Sequence, residues 1–223
     1  MEFDIWNPSL ETGRGFRGQD QGSRGSSIQP SNNKYLTYHA ILLTCPKPHI
    51  MPLIEIVPSP HTSVERTDFA IDYFKNLGSG HRPVKINKET QGFVGNRLAF
   101  ALFREACHLV SEDVVSVQDL DTIVEASIAP RWAVAGPFKT YNSAGGTGGI
   151  SAFLRNLADT MEACWDDGGK VSFKGTSEDE EGESWTDKIC KETDEVYGKP
   201  TSESLAERDR NLQKIIAAQP DEA

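Results

Sequence analysis

Cysteine is scarce in this chain. The four residues Cys45, Cys107, Cys164 and Cys190 are scattered, with no CxxC pair. They provide neither a disulfide framework nor a thiolate metal site, and they suggest a reducing, intracellular compartment, with the cytoplasm as the expected location. No run of roughly 18 apolar residues is present, so no membrane-spanning helix is expected. The first residues lack the apolar core of a secretory signal. Basic charge is in deficit: 23 Lys+Arg stand against 33 Asp+Glu, for a formal charge of −10. That balance argues against nucleic acid or an anionic membrane surface as the main partner. Much of the acid excess lies in Glu178-Asp179-Glu180-Glu181-Gly182-Glu183, which reads as a solvated loop. Internal repeats are absent, and so is any strand–GxGxxG–helix unit of the kind that receives a dinucleotide.

What the chain does have is an apolar stretch, Gln91-Gly92-Phe93-Val94-Gly95-Asn96-Arg97-Leu98-Ala99-Phe100-Ala101-Leu102-Phe103, continuing through Ala106, Cys107, Leu109 and Val110 without proline. Apolar residues fall all round the helical wheel, which predicts a helix buried on most sides, with Cys107 a buried thiol. Asn96 stands one turn inside its start. A buried amide costs roughly 1–3 kcal/mol unless it is hydrogen-bonded, so backbone, another side chain or a bound ligand is expected to meet it.

The 223 residues suffice for one ordinary domain or one and a half. Residues 1–34 are rich in Gly, Ser, Arg, Asn and Gln and read as a disordered leader. Within them Gly13-Arg14-Gly15-Phe16-Arg17-Gly18 is a single short Arg/Gly element beside Glu11 and Asp20, too little for an RNA-binding tract. Residues 35–44 fit a short strand or helix, and Pro46 and Pro48 exclude regular structure over 45–49. Leu53 to Val57 reads as a strand. Thr62 and Glu65 form a capping box for a helix bearing Ala70, Tyr73, Phe74 and Leu77, with Gly78 as its stop. Pro83 to Ile86 reads as a second strand, giving a strand–helix–strand unit with parallel strands over 52–87. From about residue 90 the chain reads as helical. Ser116 and Asp119 cap a helix, Pro130 and Gly136-Pro137 mark a turn, and Gly145–Gly149 precede a further helix as a flexible turn. Residues 167–184 form an acidic loop. Helices starting near Trp185 and Thr201, the first ending at Gly198, complete the chain.

Three segments carry a resemblance. Gly92-Phe93-Val94-Gly95-Asn96-Arg97-Leu98 resembles the segment that opens the first long helix of the C-terminal domain in the 3-hydroxyacyl-CoA dehydrogenase superfamily. Pro52-Leu53-Ile54-Glu55-Ile56-Val57-Pro58 resembles the family's LVEV strand. Arg131-Trp132-Ala133 with Gly136-Pro137-Phe138 resembles its RWAxxGPF turn. The resemblance covers roughly residues 45–165 and is similar to the branch that holds L-gulonate (lambda-crystallin) and carnitine dehydrogenases. It implies a mostly α fold: a helical domain like the 6-phosphogluconate dehydrogenase C-terminal domain over 90–223, preceded over 35–89 by a βαβ remnant of an NAD-binding Rossmann domain.

The resemblance also implies chemistry. In the family a hydride passes between a 3-hydroxyl carbon and NAD, a His removes the hydroxyl proton, a Glu orients that His, and the helix Asn places substrate. A carboxylate fixes the imidazole tautomer and raises its basicity. Glu55 corresponds to that Glu and Asn96 to that Asn. Arg131 is a candidate for binding an acidic substrate group. Counting back from Glu55, the position of the base holds Leu43, and His39 and His49 read as ordinary surface histidines. The implied partners are a 3-hydroxyacyl-CoA or 3-hydroxy acid and a second copy in a homodimer. The chain as written is expected to be truncated and not to turn over NAD by itself. The alternative expectation is a non-catalytic domain for dimerisation or substrate binding.

Overall fold

The computed structural model describes residues 40–44, 50–173 and 184–219. The chain divides into two compact units at Phe93/Val94.

In the first unit, β1 (Ala40–Thr44), β2 (Leu53–Pro58) and β3 (Arg82–Lys85) form one sheet in that order, with helix α1 (Val64–Lys75) between β2 and β3. β2 is the organising strand. Its Ile54 and Ile56 are sealed from solvent and pack with Ala70, Ile71 and Phe74 of α1. Val57 packs with Ile86 and Phe93 in a second cluster. Burying each isoleucine contributes roughly 1.5–3 kcal/mol. β2 pairs parallel with β3, as the helical connection requires, and antiparallel with β1. The sheet is therefore one strand larger than the expected two-strand remnant, because residues 40–44 are extended and supply a second hydrogen-bonding edge for β2.

The cap of α1 also differs from the reading of the sequence. Ser63, not Thr62, is the N-cap and accepts from the Arg66 N–H. Thr62 is used one step earlier: its Oγ1 accepts from the Ser59 N–H at 3.1 Å and closes the turn. α1 ends at Lys75, before Gly78.

The second unit is helical. α2 (Phe93–Ser111) is followed by α3 (Val117–Ile123), a π turn (Val124–Ile128), α4 (Ala129–Val134), α5 (Pro137–Ala144), a 3-10 turn (Gly146–Gly148), α6 (Gly149–Asp167), α7 (Trp185–Tyr197) and α8 (Ser202–Ala218). Ser116, Ser184 and Thr201 cap α3, α7 and α8, the last with a full capping box to Ser204. The Asn142 side chain accepts from the Ile150 N–H at 2.9 Å and ties the glycine turn to α6.

Two expectations fail in this unit. α2 is not buried on most sides: Leu98, Phe100 and Phe103 are 61%, 64% and 57% exposed, while Cys107 and Val110 are buried. No turn falls at Pro130, where the helical run passes straight through. The missing proline N–H is accommodated because the preceding turn widens to π spacing. Among the described residues, no helix is long and apolar enough to cross a membrane. The leader 1–34, His39, Cys45, His49 and most of the acidic loop lie outside the described residues.

Candidate active-site residues

Glu55 sits mid-strand in β2 and is 2% exposed. Strand alternation alone would let it face solvent, but both flanking isoleucines and Glu55 itself are buried: α1 covers the face of Ile54 and Ile56, and on the face of Glu55 the neighbouring Val57 packs with Ile86 and Phe93. In the register of the sheet, Leu43 of β1 stands directly across from Glu55, and Val84 of β3 stands on its other side. Of the described histidines, none stands in register with Glu55. His61 lies in the loop before α1, and His81 packs its ring edge against Phe74.

Asn96 lies one turn inside α2, half-buried, and its side-chain amide makes no hydrogen bond among the described residues. The backbone that delivers it is unusual. Gly92 and Phe93 both take the left-handed conformation, with φ of 75° and 54°. For a bulky residue such as Phe93 this is a strained choice. It is held in place because the ring is buried with Val57 and Ile86. The signal for this turn was present in the Gln91-Gly92 start of the motif, but Phe93 gave none.

Arg131 is exposed on α4, and its Nε donates to the Ser127 carbonyl in the π turn at 3.0 Å. The remaining guanidinium donors are not engaged in any described bond. The π turn gave no sequence signal. Cys107 is a buried thiol, as expected. Burial raises its pKa, which keeps it protonated and a poor nucleophile.

A cavity of about 610 Å³ opens at the carboxyl ends of β2 and β3, lined by Pro58, Thr62, Val64, Lys85, Lys88 and Glu89. This end of a parallel sheet is where α/β folds take ligands. Its chemistry does not fit a dinucleotide pyrophosphate. The connection from β2 to α1 contains no glycine. Its hydroxyls are bonded locally, Ser59 with Thr62 at 3.0 Å and Thr67 to the Ser63 carbonyl at 3.2 Å. Neither described β–α connection, 59–63 nor 86–92, carries the glycine-rich turn that lets backbone approach a pyrophosphate.

The family profile "3-hydroxyacyl-CoA dehydrogenase, C-terminal domain" matches residues 92–166. A 3-hydroxyacyl-CoA dehydrogenase of Gibberella moniliformis is 41% identical over 110 residues, 49% of this chain and 33% of that protein. An L-carnitine dehydrogenase of Burkholderia mallei is 31% identical over 171 residues, 76% of this chain and 50% of that protein. Among solved structures, 5-formyl-3-hydroxy-2-methylpyridine 4-carboxylic acid 5-dehydrogenase, an NAD+-dependent dismutase, superimposes with a TM-score of 0.61 at 25% identity, covering 82% of this chain and 57% of that one. The chain thus spans from a third to half of the length of these curated relatives. Residues 92–166 match the 3-hydroxyacyl-CoA dehydrogenase C-terminal domain, and the chain as a whole is similar to members of that superfamily, L-carnitine dehydrogenases among them.

Proposed function

We propose that this chain carries the substrate-facing part of an NAD-linked dehydrogenase for a 3-hydroxyacyl-CoA or a small 3-hydroxy acid. In this reading residues 35–89 correspond to the end of the NAD-binding domain and residues 90–223 to the helical C-terminal domain. Glu55 is the carboxylate that orients a base, Asn96 holds the substrate oxygen, and Arg131 meets an acidic substrate group. The observation that carries the reading is Glu55: a carboxylate 2% exposed on the central strand, where desolvation costs several kcal/mol, within the segment Pro52–Pro58 that resembles the family's strand. The free amide of Asn96 supports it. NAD, when bound to a member of this family, accepts the hydride. The described residues do not fit that group, so no step is assigned through it. The test is binding of acetoacetyl-CoA and of L-carnitine to the purified chain by calorimetry. Saturable binding of one of them, lost in Asn96→Ala with the fold intact by circular dichroism, is expected. Absence of binding by both overturns the reading.

A second reading, a non-catalytic unit that pairs with a second copy, is favoured by one observation: the exposed apolar face of Leu98, Phe100 and Phe103 on α2.

A further inference from the structure

Helix α8 is complete in itself but is not packed into the described fold. Its capping box, and the bonds of Arg208 to Asp209 at 2.9 Å and of Lys214 to Asn211 at 3.1 Å, are local chemistry. None of its residues is buried. Leu205, Leu212, Ile215 and Ile216 fall within about 100° of the helical wheel, the width of a core-facing stripe. Leu205 and Ile215 are 38% and 50% exposed. Helices in folded proteins draw most of their stability from packing such a stripe, and among the described residues α8 lacks that cover.

A surface that could supply it lies on the same chain. α2, α3 and α7 leave an open groove of about 240 Å³, walled by Phe103, Val110, Val117, Leu120, Ile189 and Tyr197. No described residue of α8 lines it. The connection opposes folding back. Tyr197, at the end from which α8 departs, is bonded to Asp121 at 2.7 Å and closes that end of the groove. Lys199 is ion-paired with Asp194, which holds the link 198–201 against the last turn of α7, and Pro200 stiffens it. The charges are also complementary. α3 and α7 together carry six acidic and two basic side chains, whereas α8 from Arg208 onward carries three basic and one acidic.

We propose that α8 lies in this groove of a second copy of the chain, in a reciprocal exchange about a two-fold axis. Phe103 joins the groove to the exposed face of α2, so both contacts belong to one interface. A helix of 17 residues is about 25 Å long. A stripe about 10 Å wide along it covers roughly 250 Å² on each surface, so the two contacts of a symmetric pair bury roughly 1,000 Å² in all, the lower limit of a specific interface. The exchange therefore strengthens pairing through α2 and does not replace it.

The experiment mixes equal amounts of the full chain in natural and nitrogen-15 form at micromolar concentration and lets them equilibrate. A zero-length carbodiimide then joins ammonium groups to the carboxylates they touch, and the digest is read by mass spectrometry. Lys214 is the lysine of α8. Links from Lys214 to carboxylates of α3 or α7 are expected, with mixed light–heavy pairs as abundant as the two unmixed kinds together. Leu212→Asp with Ile216→Asp, both on a helix with no buried residue, is expected to keep the helical circular dichroism, to lose the mixed links and to weaken self-association about ten-fold by sedimentation equilibrium. Links found only within one isotope would place α8 in the groove of its own chain, and no link from Lys214 to α3 or α7 would place it elsewhere. Either result overturns the proposal, as do mixed links or a self-association constant that the double substitution leaves unchanged.

Discussion

A buried carboxylate on a central strand is a poor choice for stability. If Glu55 served the fold alone, removing it would break a buried polar arrangement at a cost of about 3–5 kcal/mol. If it serves chemistry, a hydrophobic residue of similar length should fill its place at little cost. Glu55→Met is therefore expected to unfold at the same or higher urea concentration than the parent chain, by up to about 2 kcal/mol, while substrate binding changes. A midpoint lowered by several kcal/mol would assign Glu55 to the fold. Gly92 argues the opposite way. Its φ of 75° disfavours any L side chain, so Gly92→Ala should cost about 1–2 kcal/mol by the same measurement. Asn96→Ala, whose amide has no described partner, should be neutral to within about 0.5 kcal/mol. The motifs around Glu55 and Asn96 singled those residues out in the sequence, whereas the positive φ of Gly92 was not read from it. Nor was the left-handed Phe93, because nothing in a phenylalanine announces a positive φ. That conformation is imposed by the cluster with Val57 and Ile86, which pulls the ring inward.

At the scale of elements, boundaries set by local chemistry were readable and those set by neighbours were not. Ser116 and Thr201 cap α3 and α8 as read, because a cap is decided within four residues. Thr62 was passed over for Ser63 because Ser59 competes for its hydroxyl, a bond the capping pattern does not contain. Pro130 did not end a helix because the π turn before it removed the conflict. The strand character of 40–44 came from pairing with β2, where a ten-residue apolar stretch alone left helix and strand open. The contact of α3 with α7 adds a pH-dependent element. Tyr197 donates to Asp121 at 2.7 Å, and the hydrogen bond to that carboxylate raises the phenol pKa to about 12. A folded pKa above the unfolded value near 10 means that the neutral phenol is favoured in the fold. Its contribution is complete below about pH 10 and is lost as pH rises towards 12. Thermal unfolding monitored by circular dichroism should show this added alkaline sensitivity in the parent chain and not in Tyr197→Phe. The tyrosine is solvent-exposed, so the effect should be small.

At the scale of the whole molecule, the surprise is α2. Its apolar wheel predicted burial on most sides, yet Leu98, Phe100 and Phe103 face outward in the single chain. Sequence reports that a face must be covered but not whether the cover comes from the same chain. A second copy is the simplest cover, so light scattering at micromolar concentration is expected to give the mass of a dimer, and Leu98→Asp with Phe100→Asp to give a monomer. A parent chain that is monomeric at that concentration would count against self-association.

NAD is the other question at this scale. Gly13, Gly15 and Gly18 match the bare glycine spacing of a dinucleotide turn, but spacing is not the fingerprint. The turn must follow a strand, so that backbone approaches the pyrophosphate, and must open a helix whose N-terminus faces it. Before Gly13 stand Pro8, Ser9, Leu10, Glu11 and Thr12, with one large apolar side chain among them. After Gly18 stand Gln19, Asp20, Gln21, Gly22 and Ser23, with none. Neither run carries the apolar pattern of a strand or a helix that could pack against a sheet. Of the two described β–α connections on parallel strands, 59–63 has no glycine and has bonded its own hydroxyls, and 86–92 has the single Gly92. The 223-residue chain alone is therefore expected to give no saturable enhancement of NADH fluorescence, and no oxidation of NADH with acetoacetyl-CoA. Saturable enhancement that disappears in Gly13→Ala with Gly15→Ala would show that the glycine spacing near the N-terminus does form a dinucleotide turn. Enhancement that survives those changes would point instead to the cavity at the ends of β2 and β3.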